Sequence, residues 1–159
     1  MLKTFGLIAV CLCLILYGFA KYEKLLFRKR YLNELVMFSE GCTQLMRVEN
    51  RSVFLIFQEY RFESLSFFRQ ITPENIADSD ALKELFVKNG VSEFDIKFMC
   101  DFVMQLGVGD IESQEKYCKS FSTVFKRLLG DAEQDVNGKG KMHRSLCLLA
   151  AVGVFIIFI

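Results

Sequence analysis

Two uncharged apolar runs, one toward each end of the 159-residue chain, leave it little choice of fold. The later run, Leu146 to Ile159, holds fourteen residues without a charged or strongly polar side chain. As a helix rising about 1.5 Å per residue it extends about 21 Å, short of the roughly 30 Å hydrocarbon thickness, so Ser145 and its neighbours must help if it spans. Phe5 to Ala20 is its counterpart and extends through Thr4 toward Leu2. Both read as membrane anchors. They divide the chain into a transmembrane helix over 1–20, a central domain over 21–144 and a second transmembrane helix over 145–159.

Charge is distributed to match. The formal net charge is only +1, but Lys3, Lys21, Lys24, Arg28, Lys29, Arg30, Lys139, Lys141 and Arg144 flank the domain against Glu23 alone, a balance of plus eight. Residues 31–138 hold eleven Lys and Arg against eighteen Asp and Glu, a balance of minus seven. Positive residues in short loops stay on the cytoplasmic side, so the expected location is the cell membrane, with the central domain facing the cytoplasm. Lys21, Lys24, Arg28, Lys29, Arg30, Lys139, Lys141 and Arg144 form a basic collar expected to rest on the lipid bilayer. Each contributes about 1 kcal/mol against anionic head groups. A role in setting topology alone is compatible with that one.

A different reading of the first run stays open. Lys3 makes a short positive region, and Gly18-Phe19-Ala20 places small residues where a signal peptidase acts. The chain is then an exported helical protein with a cleaved signal peptide and a hydrophobic C-terminal tail, acting outside the cytoplasm. Against this stand the length of the run and five basic residues within ten positions of Ala20, which hold a segment in place. Cys11, Cys13 and Cys147 lie in the apolar runs, and Cys42, Cys100 and Cys118 are scattered without a C-x-x-C pair. They read as apolar filler in a reducing compartment rather than a disulfide framework. The one histidine, His143, sits in the collar, which offers a metal little.

Between the runs the apolar spacing is helical, and seventeen Phe with no Trp predict helices packed through aromatic side chains. Leu32, Leu35, Val36, Cys42, Leu45 and Met46 recur at intervals of three, four and seven, so the first anchor continues into a helix that Gly41 weakens a little. Asn50, Arg51 and Ser52 offer a break. Val53 to Phe57 alone resembles a buried strand, but Phe54, Phe57, Leu65, Phe68 and Ile71 extend a helical spacing, and a helix is predicted. Thr72-Pro73-Glu74 has the form of a cap followed by Pro in the first turn. Asp78 or Ser79 caps a short helix carrying Leu82, Leu85 and Phe86, and Asn89-Gly90 terminates it. Ser92 and Asp95 form a capping-box variant ahead of the face Phe94, Phe98, Met99, Phe102, Val103 and Leu106. Gly107 ends that helix. Asp110 opens the last long one, whose buried face is Tyr117, Phe121, Val124, Phe125, Leu128 and Ala132. Gly138 and Gly140 then loosen the chain. About six helices and no credible strand make the fold class all-α, a helical bundle flanked by the two anchors.

A helix-stopping Gly107 and a capping Asp110 only three positions apart force a tight antiparallel corner, with Leu106 before it and Gln114 after it. This L-G-x-x-D-x-x-x-Q corner, about forty residues before the chain end, together with the two apolar segments and the basic helix after the first, resembles the stage III sporulation protein AB family. The resemblance is best from Leu106 onward, including Gln114, Ala132 and the Lys141-Met142 to Ser145-Leu146 approach. From Lys21 to Gln105 it rests on helix order and apolar pattern. Family members usually place a Pro-Leu pair where this chain has Asn50 to Val53, lack Gly138 and Gly140, and have Gly in place of Cys147. The resemblance implies a component of the channel-like apparatus linking mother cell and forespore in endospore-forming Firmicutes. It implies a six-helix cytosolic domain similar to that of type II secretion platform proteins. The implied partners are other stage III sporulation channel proteins, among them a cytoplasmic secretion-type ATPase, in an oligomeric assembly.

No catalytic constellation stands out. The sequence has no G-x-x-x-x-G-K loop and no nucleophile elbow. Asp78 with Asp80, and Glu112 with Glu115, are spaced like helix-start and solvent-facing carboxylates. The acidic body and the core periodicity of the Phe residues disfavour nucleic acid. The expectation is a scaffold, not an enzyme, with no cofactor and no metal.

Overall fold

The protein is described by a computed structural model over residues 2–49 and 53–158, with the side chains of 2–5, 7, 43, 47–49, 53, 54, 155, 157 and 158 outside the description. Among the described residues the elements are α1 (Leu2–Glu49), α2 (Val53–Glu59), a 3-10 turn (Ser66–Gln70), α3 (Pro73–Ala77), α4 (Ser79–Lys88), α5 (Glu93–Gln105) and α6 (Ile111–Asp135). A π-helical turn (Val136–Gly140) and α7 (Lys141–Phe158) complete them, and no strand is present among the described residues. The all-α class holds. The break expected at Asn50 to Ser52 falls outside the described residues. The chain separates into a terminal unit, Met1–Lys29 with Gly130–Ile159, and a central unit, Arg30–Leu129.

The central unit is built on aromatic contact. Tyr31, Leu35, Phe38 and Cys42 of α1 are fully buried at helical spacing. Phe38 meets Phe57 at 5.4 Å, Phe62 at 5.2 Å and Phe102 at 6.1 Å between ring centroids. Phe57 and Phe62 pass the contact to Phe68, and Phe68 to Phe86. Phe102 passes it to Phe121 and Phe125 on α6. Offset and edge-to-face pairs of this kind add about 0.5–1.5 kcal/mol each beyond the area they bury. Rings thereby join α1, α2, the 3-10 turn, α4, α5 and α6 within this unit.

Its helix ends follow the local signals. Thr72 Oγ1 accepts from the Asn75 amide, and Asp78 Oδ1 accepts from the Asp80 and Ala81 amides. After α4 the Val91 amide reaches the Phe86 carbonyl and the Gly90 amide reaches that of Val87, with Gly90 at φ +77°. That pair is a Schellman motif. Ser92 departs from expectation, because its side chain makes no capping bond. Instead the buried Tyr31 hydroxyl receives the Ser92 amide at 3.3 Å and donates to Asp95 Oδ2 at 2.5 Å. A tertiary contact therefore takes part in starting α5.

The second helix is shorter than its spacing predicts. It ends at Glu59, and Phe62, Leu65, Phe67 and Phe68 reach the core from a turn and a 3-10 segment. The cause is Glu34 on α1. Its Oε1 accepts from the amides of Glu63 and Ser64 at 3.1 and 2.8 Å, and its Oε2 from that of Leu65 at 2.9 Å. A carboxylate that accepts three amides replaces the carbonyl acceptors that a continuing helix supplies.

In the terminal unit α1 runs antiparallel to the end of α6, the π turn and α7. Cys11 Sγ donates to the Ala151 carbonyl at 3.4 Å, Gly18 lies on Cys147, Gly140 on Tyr22 and Leu25, and Arg28 on Asp135. Glycine permits the close approach on both sides. A Cβ on Gly18 lies 2.8 Å from Cys147 Cβ, and one on Gly140 lies 3.0 Å from the Tyr22 ring. Gly138 and Gly140 thus do not loosen the chain; they sit in a π turn, with Gly140 buried at the crossing. The residues read as a cleavage signal are likewise helical, with Gly18 buried.

The two expected transmembrane segments are overturned: among the described residues no helix is long and apolar enough to cross a membrane. The location at the cell membrane with two spans, and the cytoplasmic orientation derived from it, fall with them.

The glycine contacts make opposite predictions for two alanine substitutions in the terminal unit. A Cβ on Gly130 meets nothing within 4 Å, so Gly130→Ala raises stability by about 0.5–1 kcal/mol through helix propensity. Gly18→Ala lowers it by about 1–2 kcal/mol, because the clash outweighs the same gain. Urea unfolding of the full chain measures both.

Candidate functional site

The corner that carries the family resemblance proves to be fully used inside the fold. Leu106 is buried and its amide bonds the Phe102 carbonyl. Gly107 and Gly109 take φ of +87° and +100°, backbone that side chains rarely adopt. Asp110 Oδ1 accepts from the Ser113 amide at 2.7 Å, and the hydrogen bonds from Ser113 hold its carboxyl below the usual range. Gln114 is 5 % exposed and closes the corner on itself. Its Oε1 accepts from the Gly107 amide at 2.9 Å, while its Nε2 donates to the carbonyls of Gln105, at 3.2 Å, and Val108. One amide side chain meets a donor and an acceptor that the helix ends leave open and adds a second bond to the Gln105 carbonyl, which also accepts from the Val108 amide. Tyr117 adds a bond from its hydroxyl to the Asp101 carbonyl at 2.6 Å, and burial pushes that hydroxyl well above its ordinary range. Leu106, Gly107, Asp110 and Gln114 are therefore brought together, as a structural lock.

The basic collar residues fall in two units. Lys21, Lys24, Arg28, Lys29, Lys139, Lys141 and Arg144 belong to the terminal unit, and Arg30 to the central one. Several find partners within their own unit. Arg28 pairs with Asp135 at 3.5 Å, Lys29 with Glu133 at 3.0 Å and Lys139 with Asp135 at 2.7 Å. The Arg144 guanidinium lies over the Phe19 and Tyr22 rings at 4.8 and 5.9 Å, and the Lys21 ammonium over Tyr17 at 5.7 Å. Such contacts contribute about 0.5–1 kcal/mol at exposed sites. Arg28, Lys29 and Arg144 join the antiparallel helices of the terminal unit, whereas Lys21 and Lys139 contact residues four positions away on their own segments.

Three features of the central unit have no signal in the sequence. Glu34 clamps the 63–65 turn, and Tyr31 meets Asp95. Glu40 accepts from Lys126 at 2.5 Å and from Ser122 at 3.2 Å, tying α1 to α6 along a groove of about 510 Å³. The bond from Lys126 and its charge hold the Glu40 carboxyl below the usual range, so this tie is present at neutral pH and is lost only as pH falls below that range. The cysteines behave as filler. All six are free, Cys42, Cys100 and Cys118 are buried, and burial pushes the Cys100 thiol up to about 11. Contact with Cys118, then burial, pushes Cys42 up as well. Among the described residues no group of His, Cys, Asp and Glu is arranged to hold a metal ion.

The family described as Stage III sporulation protein AB matches residues 3–159. No curated protein and no solved structure matches the chain.

Gln114→Ala removes the side-chain partner of the Gly107 amide and of the Val108 carbonyl, while the Gln105 carbonyl keeps the Val108 amide, so it lowers stability by about 2–3 kcal/mol in urea unfolding. Gln114→Glu does not restore it, because a carboxylate has no donor for the Gln105 and Val108 carbonyls.

Proposed function

Because the chain belongs to the stage III sporulation protein AB family, and so has its role in sporulation, we propose that it is a non-enzymatic platform component of the apparatus between mother cell and forespore. In this role its central unit docks a cytoplasmic secretion-type ATPase, and its terminal unit packs against other channel proteins or further copies of itself. The observation that carries the reading is the apolar surface that the terminal unit leaves uncovered. Leu16 is 64 % exposed, Leu149 68 % and Ile156 70 %, on two helices already packed against each other. Proteins that work alone rarely expose extended apolar surface, and such surface marks an interaction site. The central unit supports the other half of the reading. Its aromatic core and corner are closed within the unit, and its exterior offers exposed charged side chains together with apolar ones such as Phe94 and Val108 to a soluble partner.

Co-expression of the full chain with the secretion-type ATPase of the sporulation apparatus tests this directly. The expected result is co-purification of the two proteins and a multimer of this chain by light scattering. A monomer that retains no ATPase overturns the proposal.

A further inference from the structure

Between α1 and the turn after α2, the central unit has a depression of about 280 Å³ whose lining includes Arg30, Asn33, Met37, Tyr60, Arg61 and Glu63. Its lining brings two arginines beside exposed apolar surface. Lys83, Lys116, Lys119 and Lys126 each sit on a carboxylate. Arg30 and Arg61 are exposed and have no carboxylate partner among the described residues. Beside them are apolar surfaces. Met37 is 57 % exposed, and the half-buried Tyr60 ring is fixed against Phe38 at 5.1 Å and Phe62 at 4.7 Å.

The depression is also built rather than incidental. Glu34 forms part of its wall and holds the Glu63, Ser64 and Leu65 amides, which fixes the rim that carries Arg61. A rim already ordered loses less entropy when something binds. Two guanidiniums with free forks match carboxylates in geometry, and Arg, Tyr and Met are enriched at protein interface cores.

We propose that this depression binds an acidic segment of a protein partner, with a carboxylate held by Arg30 and Arg61 and an adjoining apolar side chain laid on Met37 and Tyr60. The inference rests on the reading that the central unit docks a protein. Glu63 on the rim and Glu34 in the wall favour a singly charged carboxylate over a phosphate polymer, whose denser charge they repel.

The probe is a fluorescein-labelled peptide of alternating Glu and Leu, titrated onto the full chain and read by anisotropy. Arg30→Glu with Arg61→Glu is expected to weaken binding at least about tenfold, as loss of charge-assisted hydrogen bonds requires. Lys88→Glu with Lys97→Glu reverses equal charge outside the depression and is expected to change binding less than about threefold. Helical circular dichroism confirms that each variant folds. No binding to the natural chain, equal loss in both variants, or displacement of the peptide by equimolar inorganic phosphate overturns the proposal. The ATPase separates this from the docking reading. If it binds the natural chain and the Arg30→Glu, Arg61→Glu variant alike, the depression is wrong and docking stands; if only the peptide binds, docking fails and the depression stands.

Discussion

A carboxylate on α1 determines how the central unit is folded. Glu34 accepts amides 29, 30 and 31 residues further along, and the chain there leaves the helical path it would otherwise keep. Hydrogen bonds to a charged acceptor contribute about 1.5–3 kcal/mol, and each of these amides is costly to leave open when buried. By turning the chain after Glu59, this contact lets Phe62, Leu65, Phe67 and Phe68 enter the core from a short segment, where a straight helix would present only one stripe. The aromatic chain from Phe86 through Phe68, Phe62 and Phe38 to Phe102 and Phe125 follows from that turn.

The terminal unit solves a different problem with different means. Its helices are mostly apolar, and helices of that kind approach closely only where side chains are small. Gly18 against Cys147 and Gly140 against Tyr22 supply the small positions from both sides, and ion pairs from Arg28 and Lys29 to Asp135 and Glu133 close one end. Apolar side chains such as Leu16, Leu149 and Ile156 stay exposed outside this packing.

What the sequence makes legible is local. Thr72, Asp78, Asn89-Gly90 and Asp110 act within a few residues of themselves, and the structure places each at a helix end as its spacing predicts. The corner is legible for the same reason, since the Gln114 side chain bonds Gln105, Gly107 and Val108, all close to it in sequence. Glu34 is not, because nothing in its neighbourhood distinguishes it from any exposed helical Glu until the distant amides arrive. Two ion pairs of the collar are hidden for a related reason: counting charge by segment sets Arg28 and Lys29 against an acidic body, whereas folding brings Asp135 and Glu133 back beside them. Gly140 reads as a flexible joint because sequence shows a missing side chain but not the Tyr22 ring that needs its absence. The apolar runs read as spans by length and composition, and no described helix meets that requirement.

The most direct test of this account is hydrogen exchange at the Glu63, Ser64 and Leu65 amides in the natural chain and in Glu34→Ala. If the carboxylate holds the turn, these amides exchange slowly in the natural chain and at least about tenfold faster in the variant, while α5 interior amides such as that of Val103 stay protected. Rapid exchange at all three positions in the natural chain, or protection unchanged in Glu34→Ala, would contradict it.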